Sequence, residues 1–383
     1  MRLFQNVAGG GGSEGLLEDG QQRITSSPAV QNEPMTIGIH DRPGSFSDRW
    51  IEYCTERQIP LRRVNCLATD VVQQCAGLKA LLWHWSQNSP EELLVARQII
   101  TALERMGVVV FPSIATCSHF DDKVAQKYLL EAIGAPLIPT WVFTSRVAAK
   151  TWIAGASWPK VFKLRCGAGS TNVRLVRSRT EAEALCRQAF GRGFPAVSGY
   201  LTDLRTRLRK TNSKAAFWEK LRRAPRTLLR NLALRSQLPR QRDYIYFQEF
   251  LPANAFDTRF TVVGNRAFGF QRANRPNDFR ASGSGKLVYD PAKLDKRCVA
   301  VAFEVADRIR SQSVAFDFLF SPQGHPMIGE ISYCYMPQAV HACPGHWDGG
   351  LTWHDGHIWP EDAIIEDVLE AVRRGRNKTP PQL

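Results

Sequence analysis

The sequence predicts an α/β protein with α+β character: a small parallel α/β unit, a larger mixed part built from hairpins and helices, and a basic helical insertion. Three observations predict it. Short apolar strands alternate with amphipathic helical stretches over residues 36–113, the pattern of βαβ units. Further along, extended segments follow one another across short turns, as hairpins do. Charge is also unevenly spread. Between Arg192 and Arg242 stand 14 Lys or Arg against 2 Asp or Glu, a net +12 out of +14 for all 383 residues, so the basicity belongs to one insertion rather than to the fold.

A chain that is 44% hydrophobic and 22% charged belongs to the globular class, and its length suggests two or three domains at roughly 100–200 residues each. The longest stretch free of Asp, Glu, Lys and Arg runs from Ile331 to Trp347 and holds Gln338, two His and two Pro, so a transmembrane helix is excluded. After Arg2 come Gly9 to Gly12, Ser13 and Glu14 where an apolar region would stand, so no secretory signal is expected. Nine cysteines without a CxxC pair fit a reducing cytosol.

Residues 1–33, rich in Gly, Ser and Gln, are expected to be a disordered tail. Residues 34–117 form the small parallel domain, with strands at Thr36–His40, Leu81–Trp83 and Val108–Phe111. Its best marked helix has Ser89 as N-cap, Pro90 in the first turn and Glu92 closing a capping box, with Leu93, Ala96, Ile100 and Leu103 on one face. No GxGxxG is present, which argues against a dinucleotide site there. Residues 118–383 form the second domain. A helix over 121–133 is expected to turn Val124, Tyr128, Leu129 and Ala132 inward and to end at Gly134. Strands follow at 141–143, 161–165 and 172–177, then, after the 192–242 insertion, at 244–250, 259–263 and 267–271. A helix near 294–310, two more strands, and a final helix burying Ile364, Ile365, Val368, Leu369 and Val372 complete the chain.

Chemistry concentrates in three places. Ser313 to Phe320 reads as a buried strand, and Asp317 in its middle needs a partner or a metal. If Phe320 pairs with Met327 across the turn at 321–326, Asp317 falls opposite Glu330, with Cβ atoms roughly 5 Å apart. A hard divalent cation, Mg²⁺ or Mn²⁺, resolves that repulsion, and an arginine partner from elsewhere is the bland alternative. Upstream, alternation puts Phe162 and Leu164 on one strand face and Lys163 on the other. The small residues Gly167, Ala168, Gly169 and Ser170 then allow backbone N–H groups to approach phosphate oxygens.

The order of these parts resembles the ATP-grasp superfamily, especially its ribosomal-protein-glutamate-ligase-like branch, over about residues 120–335. The resemblance implies an ATP-grasp fold preceded by the family's α/β domain. It implies that Lys123, Lys163 and the loop of Gly167, Gly169 and Ser170 contact nucleotide phosphates. Gln248, Glu249, Phe250 and Leu251 would be the adenine hinge, with Asp257 beside it, and Arg259, Arg272 and Arg280 would balance phosphate or substrate charge. Asp317 and Glu330 would hold Mg²⁺ or Mn²⁺. The family usually continues Glu-x-Asn, whereas this chain has Glu330-Ile331-Ser332, a poorer neutral oxygen donor. The implied activity is an ATP-dependent carboxylate–amine ligase forming an amide through an acyl phosphate, its partners being ATP and small-molecule acids and amines.

Two segments stand outside that resemblance. Phe217, Trp218, Leu221, Leu228, Leu229 and Leu232 recur among the basic residues of 192–242, which reads as a segment for an anionic membrane surface or polyanion, or as a helical lid with a solvated face. No nucleic-acid-binding motif is visible, so a nucleic acid partner is not expected. Residues 336–383 are rich in His and Trp; Cys343, His346, His354 and His357 have a spacing that hints at zinc, and a substrate-contacting loop is the preferred reading. The whole suggests a cytoplasmic protein, with peripheral membrane attachment as an option. A phosphotransferase is the alternative within the superfamily. A weakly active nucleotide-binding protein recruited to an anionic surface is the alternative outside it, kept open by Ser332.

Overall fold

The computed structural model describes residues 36–167, 172–195, 239–275, 278–281 and 285–376. The expected tail, Gly169 and Ser170, and the basic segment from 196 to 238 with its Phe217 and Trp218 lie outside the described residues.

The first sheet is parallel, as the alternation predicts. β1 (Ile37–Ile39), β2 (Leu61–Arg63), β3 (Ala80–Leu82) and β4 (Val109–Phe111) lie in the order β2-β1-β3-β4, with α1 (Phe46–Glu56) and α3 (Pro90–Arg105) as connections around the short α2 (Val71–Gln74). Ser89 caps α3 by accepting from the Glu92 N–H, but the Glu92 carboxylate does not return to the cap. It is almost wholly buried and accepts instead from Trp83 Nε1 at 3.2 Å and Ser86 N at 2.7 Å, because a buried charge needs donors.

After α4 (Ile114–Cys117) and α5 (Lys123–Ala132), a small antiparallel sheet forms from β5 (Thr140–Phe143), β6 (Lys160–Lys163), β7 (Val173–Val176) and β8 (Ile245–Glu249), in the order β5-β8-β6-β7. α6 (Arg146–Gly155) and α7 (Arg179–Ala189) cover one face, over a core that includes Phe162, Leu164, Ile245 and Phe247. The face of α5 differs from expectation. Lys123, Gln126 and Leu130 are buried, while Tyr128 and Ala132 are exposed. Polar residues needed at the site displace the periodic apolar ones from the inner face.

The large sheet holds β9 (Phe256–Val263), β10 (Arg266–Ala273), β11 (Leu287–Val288), β12 (Ser313–Phe320), β13 (Pro326–Ser332), β14 (Gly345–Asp348) and β15 (Trp353–Asp355). Its order is β13-β12-β9-β10-β14-β15, with β11 beside β10. α8 (Lys296–Arg308) packs on one face through Val299, Ala302 and Val305 against Phe260, Phe316 and Phe318. The opposite face carries the acidic and basic side chains described below, then Phe268, Phe270 and Val263, which join the core shared with the first sheet.

The run after β13 is not the expected loop. It forms a short helix, α9 (Pro337–His341), then the hairpin β14–β15, in which Trp347 pairs with Trp353 at 4.5 Å between rings. α10 (Pro360–Arg376) then crosses back to α1. Arg49 forks Asp362 with two bonds of 2.7 Å, and Trp50 Nε1 donates to Glu361 O at 3.1 Å. Ile364, Ile365, Val368, Leu369 and Val372 thereby complete one core with Ile37, Ile39, Trp50 and Leu82.

Candidate active site

A cavity of about 410 Å³ lies between the small and the large sheet. Ile138, Val161, Leu319 and Ile331 supply apolar wall, Glu249, Phe250 and Leu251 form one rim, and Lys163, Asp257, Arg259, Arg280, Asp317, Glu330 and Ser332 supply charge and polarity. Gln248 also lines it, its side-chain amide donating to Thr140 Oγ1 at 3.1 Å. Glu249 is held at the rim by Lys160, Nζ to Oε1 3.0 Å. Phe250 meets Phe279 edge to face at 5.8 Å. An apolar slot with polar groups at its rim suits a flat heteroaromatic ring.

Lys163 enters the cavity because strand alternation sends Phe162 and Leu164 into the core behind it. Its Nζ donates to Gly329 O at 3.2 Å, and burial pushes its pKa down to about 8 although Glu330 draws it up. Lys123, at the start of α5, donates to Gly167 O at 3.0 Å and pairs with Glu330 Oε1 at 2.9 Å. Burial opposes its charge, but Glu330 and Asp121 outweigh that, so Lys123 stays protonated well past its ordinary range. Gly167, at φ +119° where a side chain would be strained, donates its N–H to Asp121 Oδ1 at 2.7 Å. Asp121, pushed up to about 6 by burial, thus anchors the root of the glycine loop.

Asp317 does face Glu330 across the β12–β13 ladder, by a different route from the one expected. Phe320 pairs with Pro326, not Met327, and a bulge between Phe318 and Asp317 takes up one residue, Gly329, before Asp317 meets Glu330. The unpaired residue has a use, since its carbonyl is the acceptor for Lys163.

Both carboxylates are balanced by protein cations. Arg259, opposite Asp317 on β9, forks it with Nε to Oδ1 2.6 Å and Nη2 to Oδ2 2.8 Å. Arg272 adds Nη2 to Oδ2 at 2.7 Å while forking Asp257 at 2.7 and 2.6 Å. Burial would raise the Asp317 pKa, but the two guanidinium groups hold it well below the usual carboxylate range. Arg280 forks Asp278 and reaches Val173 O at 3.5 Å, tying the segment before β11 to β7. Ser332 Oγ donates to Cys334 O at 2.9 Å and accepts from Cys334 N at 3.2 Å, so its hydroxyl is engaged in a turn.

The structure therefore gathers Lys123, Lys163, Gly167, Gln248 to Leu251, Asp257, Arg259, Arg272, Arg280, Asp317, Glu330 and Ser332 in or beside one cavity. Sequence reasoning missed Asp121, whose only signal is its place beside the true N-cap Asp122. It also missed Gln126, which accepts from Ile331 N at 3.3 Å and holds β13 in place. Among the described residues, Cys334 is the last to line the cavity, and none from the His- and Trp-rich run 336–383 does so. Its histidines sit at the far edge of the large sheet: His354 pairs with Asp348 at 2.8 Å, His357 bonds His341 O, and Cys343 is buried beneath Gly269 O. His346 stacks on His354 at 5.2 Å between rings, but among the described residues no group of three or more His, Cys, Asp or Glu is placed to hold a metal ion. Asp317 and Glu330 offer two hard-oxygen ligands, a donor set that suits Mg²⁺ where further oxygens complete it.

No family model matches the sequence, and no curated protein matches it significantly. Several solved structures are similar over nearly their whole length. A RimK domain ATP-grasp protein from Sphaerobacter thermophilus is 16% identical, with a TM-score of 0.52 covering 88% of this chain and 99% of that one. D-cycloserine synthetase DcsG is 15% identical, TM-score 0.52, covering 87% and 99%. D-alanine–D-alanine ligase from Bacillus anthracis, complexed with ATP, is 12% identical, TM-score 0.52, covering 90% and 99%. Among the described residues, no helix is long and apolar enough to cross a membrane.

Proposed function

Because the chain has the ATP-grasp fold, we propose that it is an ATP-dependent carboxylate–amine ligase. The observation that supports this best is the convergence of Lys163, the Glu249–Leu251 rim and the Asp317/Glu330 pair on one cavity. In this reading the apolar walls and the rim backbone take the adenine, and Lys163 and Lys123 neutralise the phosphates near Gly167. Asp317 and Glu330 would hold Mg²⁺ or Mn²⁺, which when bound neutralises phosphate charge.

The acid's carboxylate oxygen attacks the terminal phosphorus, the bond to ADP breaks, and an acyl phosphate results. An amine nitrogen then adds to the acyl carbon, phosphate departs with the bonding pair, and the nitrogen loses a proton. The protein's part is positioning and charge balance; Arg259, Arg272 and Arg280 stand where negative charge gathers, and the apolar walls keep water from the acyl phosphate. No covalent protein nucleophile is needed.

The test uses the full chain with ATP, Mg²⁺, a panel of amino and dicarboxylic acids, and hydroxylamine as the amine. Hydroxamate formed in step with ADP is the expected result. ADP without hydroxamate, accompanied by a phosphorylated acceptor, would favour phosphotransfer instead.

A further inference from the structure

Asp317 and Glu330 suit a divalent ion, yet cationic side chains of the protein already pair with both. Asp317 accepts three N–H groups from two guanidinium ions, with distances of 2.6, 2.8 and 2.7 Å, and its side chain is only 18% exposed. A metal approaching alone would meet a carboxylate whose charge is spent. It would also have to leave Arg259 unpaired in a largely buried site, which is costly.

The two arginines are not equivalent. Arg272 is 6% exposed and anchored by a second carboxylate, Asp257, through both its Nε and its Nη2. Among the described residues, the ion pair of Arg259 is with Asp317, and its side chain is 20% exposed at the cavity wall. Arg272 is thus tied to β9 whatever happens at Asp317, whereas Arg259 can turn into the cavity if an anion arrives to receive it. The phosphate chain of a nucleotide is such an anion, and it brings negative charge to the same spot where the metal brings positive.

We propose that Arg259 is a placeholder cation: it occupies Asp317 until a phosphate takes over its charge, which makes metal binding at Asp317 and Glu330 conditional on nucleotide. The inference rests on the nucleotide reading above, but its first test needs no nucleotide. Binding of Mn²⁺ to the full chain is followed by the electron paramagnetic resonance signal of free Mn²⁺. Wild type should bind weakly without nucleotide, Arg259→Met should bind about tenfold or more tighter, and Arg259→Met/Asp317→Asn should lose that gain. A general loss of positive charge would raise metal affinity with or without the Asp317 carboxylate, so the Asp317→Asn background separates that effect from release of Asp317. Equal Mn²⁺ affinity in wild type and Arg259→Met overturns the proposal, as does a gain that survives Asp317→Asn.

Should Arg259→Met not fold, judged by circular dichroism, the wild type decides. ADP should raise Mn²⁺ affinity, and Mn²⁺ should raise ADP affinity by the same factor. Wild-type Mn²⁺ binding as tight without ADP as with it overturns the proposal. A chain that binds neither ADP nor ATP defeats the nucleotide reading together with the proposal, whereas nucleotide binding without coupling to Mn²⁺ defeats the proposal alone.

Discussion

Lys163 spans two demands, since it must be buried to line the cavity and charged to hold phosphate. Burial pushes it down to about 8, so it loses its proton across the range in which most enzymes are assayed. A bound phosphate favours the ammonium, so ATP affinity should fall as pH rises through 8. Between pH 7 and pH 9 the wild type should lose about tenfold in affinity, one protonation step, whereas Lys163→Met should bind weakly with no such slope. Calorimetric titrations at both pH values check this, and parallel slopes would remove Lys163 from the phosphate site. Lys163, Asp317 and Glu330 were legible because strand alternation and the cost of a buried charge are local statements. The arginine clamp on Asp317 was not legible as geometry, because Arg259 and Arg272 come from other strands and only sheet order brings them there.

Among the elements, α10 carries a built-in strain in Glu361. This carboxyl is 3% exposed, its Oε2 has no partner among the described residues, and burial pushes its pKa up to about 7 despite Arg49 nearby. A folded pKa above the unfolded 4.5 means that the native state holds the proton longer. Stability from this group is therefore full below pH 4.5 and lost as pH rises through 7. Glu361→Gln should gain about 1–3 kcal/mol at pH 8 and almost nothing at pH 4; urea melts at the two pH values measure it, and a gain of equal size at both would reject the account. Element existence was mostly readable from periodicity, including α3 and α10. Two features escaped it: α5 turns Lys123 and Gln126 inward against the hydrophobic pattern, and Gly329 inserts a bulge that no alternation rule could place.

At the scale of the whole molecule, the three sheets were foreseen as a parallel unit and a mixed remainder, but their joins were not, because contacts between residues hundreds apart leave no local pattern. The join at α10 has a measurable consequence. Ile37, Ile39, Trp50 and Leu82 share their core with Ile364, Ile365, Val368 and Leu369, so residues 36–117 alone should lack the part of that core that α10 supplies. That fragment is expected to show no cooperative thermal transition, and fusing residues 360–376 to it through a flexible linker should restore one; a cooperative melt of the bare fragment would refute the dependence. The same join sets a clock on biosynthesis. Translation proceeds from the first sheet to α10 at about 5–20 residues per second, so the earliest strands emerge from the ribosome on the order of tens of seconds before their final helix exists. Through that interval Trp50 has Phe46 and Phe111 beside it but not the side chains of α10, so the nascent chain carries an incompletely covered apolar face until the last helix arrives.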